Sequence, residues 1–307
     1  MSLVWVNGSL VEAADARIST TDRGFTLGDG LFETMRVTNG RIFRLDAHLD
    51  RLRRSARRIG LTCPEPLEAA IAAALEANEA VEGSVRLTLT RGPSMPGLRV
   101  VHGESPTIVI AIRAYIPDVS QSRDGVRAII ASGCLNERGS AAGLKHLGYL
   151  EAILAQREAD AAGVDEAILL DTRGNLAEAA AANIFVVLDG ELLTPSLDSG
   201  ILPGITRATV LGLAAEAGIT AREQSLLPSV LQHAQEAFIT SSLREIVPLV
   251  AVDGQPIGSG KPGPLTRRIQ QGYTQLVRGN GAGFGIRDSG FGIRDSGVGG
   301  RGLNAEC

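Results

Sequence analysis

Lysine is almost missing from this 307-residue chain: of its 30 basic side chains only Lys145 and Lys261 are lysines, and the rest are arginines. Cysteine is as scarce. Cys63, Cys134 and Cys307 are odd in number and widely spaced, which excludes a disulfide framework and a cysteine metal centre. The four histidines, His48, His102, His146 and His233, are scattered without HExxH or paired-ligand spacing. No serine stands in a nucleophile-elbow pattern, and no GxGxxG opens a helix after a strand. Neither sign of charge dominates. Thirty basic against 34 acidic residues leave −4 with no basic block, so nucleic acid and anionic membrane surfaces are not expected partners. No apolar run approaches the roughly 18 residues of a membrane span, and Met1–Asn7 lacks the shape of a signal peptide. What remains is 44% hydrophobic and 21% charged, a composition that predicts a globular, cytoplasmic, two-domain enzyme.

The lysine shortage is itself a signal. A chain that uses arginine wherever a cation will do keeps a lysine where arginine cannot serve, and the chief such task is an amine that loses its proton and forms an imine. Lys261 lies in the turn-rich Gly258–Pro264, where a solvated cation is expected. Lys145 lies in a small-residue loop, Ala141 to Gly148, running into a helix. A surface lysine is the plain alternative there too.

The pattern along the chain mixes strands and helices. Phe32–Val37 and Arg41–Leu45 flank Asn39-Gly40, a strong hairpin signal. Asp46 is placed to cap a helix whose Leu49, Leu52, Ala56 and Ile59 form one stripe. A helix over about 66–78 and strands at 84–90 and 107–115 complete an N-terminal domain, residues 1–115. The polar stretch 116–125 reads as a linker. Residues 126–278 carry strands at 126–132, 166–170, 184–188, 192–194 and 236–240, with helices at about 147–162, 206–217, 228–234 and 264–277. Such an order predicts an α+β protein rather than a doubly wound sheet. From 279 to 307 the chain is glycine-rich and repeats Phe-Gly-Ile-Arg-Asp-Ser-Gly, which predicts a disordered tail.

An imine-forming lysine needs a carbonyl, and the aldehyde of pyridoxal 5'-phosphate is the strongest candidate. That cofactor also needs an acid for its ring nitrogen and an anion site. Glu178 is a lone acid among the small residues 177–182, and Gly204-Ile205-Thr206-Arg207 opens a helix whose amides can meet a phosphate. A tolerated loop acid and an ordinary helix start are the alternatives for each alone.

Six segments then occur in order: Asp22-Arg23-Gly24 through Thr34, Ala47–Leu52, Lys145, Glu178–Phe185, Gly200–Arg207 and Thr240–Ile246. Together they resemble the class IV aminotransferases, the fold-type IV pyridoxal-phosphate enzymes, which include branched-chain and D-amino-acid aminotransferases and aminodeoxychorismate lyases. The resemblance spans about residues 3–278. It implies a small α/β domain and a larger barrel-like domain with the cofactor between them, in a homodimer. It implies Lys145 as Schiff-base lysine and proton carrier, Glu178 at the pyridine nitrogen, and Arg51, Ile205, Thr206 and Ser241 or Ser242 at the phosphate.

Phe32, Thr34 and Arg36 are expected to face a small amino-acid or oxo-acid substrate, and Arg36 could bind its carboxylate. The chain departs from each subtype. Branched-chain enzymes carry a tyrosine five residues after the lysine, whereas this chain has Leu150 there and Tyr149 one place earlier. The Arg-x-His clamp of the D-amino-acid type is absent from Pro93–Arg99, which leaves Arg91 and Arg99 as candidates. Lys145-His146-Leu147 fits the lyase type, but Ser241 replaces its asparagine. The expectation is a transaminase, with a lyase forming 4-aminobenzoate as the alternative and a non-catalytic cofactor carrier as a distant third.

Overall fold

Alternation sets the first layer. The structure, a computed structural model, describes residues 2–100 and 105–279; His102, Cys307 and the repeat-bearing tail lie outside them. In chain order β1 (Leu3–Val6), β2 (Ser9–Glu12), α1 (Arg23–Leu27), β3 (Gly30–Thr38), β4 (Arg41–Ile42), α2 (Leu45–Arg58), α3 (Leu67–Ala77), β5 (Gly83–Thr90) and β6 (Thr107–Arg113) form one unit. Its antiparallel sheet runs β2-β1-β6-β5-β3-β4. Along β5 Val85, Leu87 and Leu89 are buried, and they pack with Leu49, Leu52 and Ala56 of α2 into one core. Ser84, Arg86 and Thr88 therefore take the opposite face. That face looks towards the second sheet.

α4 (Val119–Asp124), capped by the Asp118 carboxylate, carries the chain across. The second unit comprises β7 (Val126–Leu135), α5 (Leu150–Ala161), β8 (Glu166–Asp171), β9 (Leu176–Ala179), β10 (Ala182–Leu188), β11 (Glu191–Thr194), α6 (Ile205–Glu216), β12 (Ala221–Glu223), α7 (Val230–His233), β13 (Glu236–Ser241), β14 (Glu245–Val252), β15 (Gln255–Pro256) and α8 (Pro264–Val277). β10 pairs with β13, β13 with β14, β14 with β7, β7 with β8, β8 with β9, and β9 returns to β10. Six strands thus close into a barrel, the α+β arrangement expected. Ile184, Val186, Ile239 and Val247 belong to one core, while Phe185, Phe238 and Tyr273 belong to a second core beneath α6 and α8.

Several local expectations are corrected. α2 starts at Leu45 after Arg44 in a left-handed conformation (φ 54°), so Asp46 sits in the first turn instead of capping it. α5 starts at Leu150, not Leu147, and the Leu147 amide bonds Gly30 O at 3.1 Å. Strands β1, β2, β9, β12, β14 and β15 were not anticipated.

Candidate active site

Between the two sheets lies a cavity of about 740 Å³, lined by Phe32, Thr34, Arg51, Arg86, Lys145, Tyr149, Glu178, Asn183, Ile205, Thr206, Ser241 and Ser242 among others. Its size suits a cofactor-sized ligand. Of the expected residues, nine meet here. Arg36, Arg91 and Arg99 do not.

Lys145 is held from both sides. Its carbonyl accepts the Phe32 amide at 2.9 Å, His146 bridges Leu31, and two residues earlier the Gly143 amide bonds Gly200 O at 2.9 Å. The side chain crosses the cavity: Nζ lies 4.4 Å from the Phe32 ring centre and donates to the Tyr149 hydroxyl at 3.3 Å. Burial, aided by repulsion from Arg51 and Arg86, brings the amine down to about 8, against the pull of Glu33 and Glu178. A lysine so placed is a neutral nucleophile and base within reach of physiological pH. Tyr149 packs edge-on against Phe32 at 5.1 Å, and burial pushes its phenol up to about 12. Leu150, in the position where the branched-chain pattern has tyrosine, is 65% exposed. His146 accepts the Gly148 amide at Nδ1 and does not line the cavity.

Glu178 is paired across the β9–β10 hairpin with Asn183. Its Oε2 accepts Asn183 Nδ2 at 3.0 Å and the Leu202 amide at 3.1 Å. Asn183 Nδ2 also donates to Leu202 O at 2.9 Å. No hydrogen bond to Oε1 is formed by the described residues. Burial lifts the carboxyl to about 7; a cation placed at Oε1 would bring it back down. Gly204 is required by this arrangement, since a Cβ there would fall 2.0 Å from Asn183 Oδ1.

Arg51, 4% exposed, forks onto Glu33 at 2.8 and 2.6 Å and donates to Pro203 O at 3.0 Å. Burial opposes ionisation of Glu33, but Arg51 and His48 overcome it and hold the carboxyl down at about 2. A carboxylate only accepts, so His48 Nδ1 donates its proton to Glu33 Oε2 at 2.7 Å. Three of Arg51's five N–H groups are used there, and two remain for the cavity. α6 begins beside them with Gly204 at its cap and no side chain bonding its first amides. Thr240 Oγ1, in the same wall, is buried with no partner among the described residues. Ser241 Oγ accepts the Arg244 amide at 3.2 Å. Uncapped helix amides, an orphaned hydroxyl and a paired arginine with spare donors fit a phosphate, and Glu178 Oε1 fits a pyridinium.

Arg86 was missed by sequence reasoning. It lies opposite Thr34 in the β3–β5 ladder, with Cζ 3.4 Å from the Phe32 ring centre. It makes no ion pair among the described residues, and burial lowers its ionisation from the usual arginine value. Of the three arginines expected at the substrate, two are engaged elsewhere and the third lies off the cavity. Arg36, two residues beyond Thr34 on β3, pairs with Glu82 at 2.7 Å and Tyr115 O at 3.1 Å. Arg91 pairs with Asp29 and caps Ile59 O and Gly60 O at the end of α2. Arg99 is exposed and off the cavity wall.

The model of the family described as amino-transferase class IV matches residues 30–252. The chain belongs to this family. A protein named "Putative branched-chain-amino-acid aminotransferase" from Methanocaldococcus jannaschii is 36% identical over 282 residues, covering 89% of this chain and 96% of that protein. The D-alanine aminotransferase of Bacillus licheniformis is 33% identical over 270 residues, covering 87% and 94%. Among solved structures, the Escherichia coli branched-chain amino acid aminotransferase superposes with a TM-score of 0.88 at 30% identity, covering 92% and 98%. The T.th. branched-chain amino acid aminotransferase with pyridoxamine 5'-phosphate gives 0.86 at 29%, covering 91% and 94%. The 4-amino-4-deoxychorismate lyase of Pseudomonas aeruginosa gives 0.78 at 32%, covering 88% and 97%. This class IV aminotransferase is thus a fold-type IV enzyme with a lyase among its structural neighbours.

Proposed function

We propose that this aminotransferase binds pyridoxal 5'-phosphate and moves an amino group between an amino acid and a 2-oxo acid. The carrying observation is the set of three in one cavity: a Lys145 amine lowered to about 8, a Glu178 carboxyl with one oxygen left over, and the uncapped start of α6. When bound, the cofactor supplies an aldehyde for the amine and a ring that takes up electrons. Lys145 would hold it, Glu178 would face the ring nitrogen, and Ile205, Thr206, Arg51, Ser241 and Ser242 would hold the phosphate. Lys145 Nζ would take the proton from the substrate's α-carbon and pass it on rather than return it there, so that the α-carbon can leave as the oxo carbon and the nitrogen stays behind. Tyr149 accepts an Nζ hydrogen bond and so steers the lone pair.

Arg86 supplies the cation for a substrate carboxylate. Thr34, its neighbour across the ladder, offers a hydroxyl beside it. Phe32, Leu147 and Tyr149 put apolar surface beside them in the wall, which suits an aliphatic side chain such as a branched-chain or alanine substrate. Phe25, Met95, Leu98, Leu150 and Ile153 are all more than half exposed. They sit on adjoining segments, since Arg23 bonds Gly97 O and Gly28 abuts Gly148; such an apolar face supports a homodimer. The free thiols of Cys63 and Cys134 suit a reducing, cytoplasmic setting.

The lyase reading has its own support, the Pseudomonas aeruginosa neighbour and the Lys145-His146-Leu147 run. One experiment tests both. The loaded enzyme is mixed with D- and L-alanine and branched-chain amino acids while the shift to pyridoxamine absorbance is followed, and in parallel with aminodeoxychorismate while 4-aminobenzoate is measured. The transaminase reading expects the shift; 4-aminobenzoate without any shift overturns it.

A further inference from the structure

Thr206 stands between two environments. The residue lines the cavity at the first turn of α6, and its hydroxyl lies 3.3 Å from the phenolic oxygen of Tyr273 on α8. Both residues are 2% exposed. The Tyr273 ring packs edge-on against Phe43, with centroids 5.5 Å apart, inside the core that holds Phe238 and Ile269. Among the described residues, Thr206 is the only hydrogen-bond partner of the Tyr273 hydroxyl.

Only one proton can lie between the two oxygens, and their surroundings decide whose it is. If Thr206 donated, the buried phenolic proton would be stranded, since none of the other described residues forms a hydrogen bond with it. If Tyr273 donates, its proton is satisfied and Thr206 keeps its own O–H for whatever the cavity holds. A buried donor without an acceptor is the costlier state, so the phenol donates. Burial also raises the ionisation of Tyr273 above the usual phenol value, which keeps that proton in place.

We infer that Tyr273 is a positioning residue which, by donating to Thr206, commits the Thr206 hydroxyl as a donor to a phosphate at the start of α6. The inference rests on the cofactor reading above and adds a residue 67 positions away in sequence. A donor that is itself receiving a hydrogen bond is polarised and binds an anion more strongly. The Thr240 hydroxyl in the same cavity wall, which has no partner among the described residues, receives no such bias from them.

The test compares, on the full chain freed of cofactor, the affinity for pyridoxal 5'-phosphate with that for pyridoxal, which lacks the phosphate. Tyr273→Phe is expected to weaken the phosphorylated ligand roughly three- to tenfold and to leave pyridoxal unchanged, while Thr206→Ala weakens it roughly tenfold or more. Adding Tyr273→Phe to Thr206→Ala brings no further loss, whereas adding it to Thr206→Ser does. Three results overturn the inference: an unchanged ratio of the two affinities in Tyr273→Phe, parallel weakening of both ligands, or an equal Tyr273→Phe effect in the Thr206→Ala background. If Thr206→Ala itself leaves the ratio unchanged, it is the placement of the phosphate that fails.

Discussion

Arg51 and Arg86 stand on the same cavity wall and are held in opposite ways. Arg51 comes from a helix, forks onto a fully buried Glu33 and is further fixed to Pro203 O. Its charge is cancelled before any ligand arrives. Arg86 comes from a strand, leans on the Phe32 ring and has no acid partner among the described residues. The difference divides the cavity into an end assembled by the protein and an end left for a ligand to complete. A paired arginine offers directed N–H groups at little electrostatic cost. An unpaired one, half removed from water, is destabilised until an anion reaches it. The first suits a group that stays, the second a group that comes and goes.

Lys145 lies between the two ends, and its removal has the largest effect. Lys145→Arg keeps the cation but not a proton that can leave, and transfer falls by roughly a thousandfold or more. The half-reaction spectrum measures it, and surviving turnover would break the division at its centre. Glu33→Gln comes next, because it strands Arg51 as a buried cation. A loss of about 3 kcal/mol or more is expected in urea unfolding. The wild-type contribution has a definite pH window. The Glu33 carboxyl is depressed to about 2 from 4.5, so its stabilisation is complete above pH 4.5 and is lost as pH falls through 2. Glu33→Gln should flatten that limb of the stability profile.

Arg86→Leu probes the other end. KM for the acid substrate rises roughly tenfold or more while affinity for pyridoxal 5'-phosphate holds. Loss of cofactor affinity instead would show that both arginines serve one group. The smallest effect sharpens the picture at Lys145. Without cofactor its amine is half protonated near pH 8, so the rate of imine formation with an added aldehyde climbs to about pH 8 and levels off. An inflection near 10.5 would mean an amine in open water.

Much of this was legible because it is local. Asn39-Gly40 marks a hairpin, Leu49, Leu52 and Ala56 a helix stripe, and a lysine among arginines a chemical need. Glu178 stood out for being an acid in a run of alanines. The arginines were misjudged for one reason. Arg36, Arg86, Arg91 and Arg99 look alike in sequence, and their roles depend on pairings fixed only by the fold. Thr34 faces Arg86 through a ladder contact across 52 positions, and Glu82 claims Arg36 across 46. Strands β9 and β14 escaped notice because, buried in a closed barrel, they lose the alternation that marks a half-exposed strand. Tyr149 was judged by its offset from the lysine, yet the late start of α5 puts its ring, and not the side chain of Leu150, over the cavity.

The lysine loop is stitched by main-chain bonds to β3 of the first sheet, through Phe32 and Leu147, and to the turn at Gly200 of the second unit, through Gly143. Slow deuterium uptake at those three amides therefore reports that the reactive centre is assembled, with no substrate or chromophore needed. A substitution that loosens one sheet from the other would register there before it changed any rate.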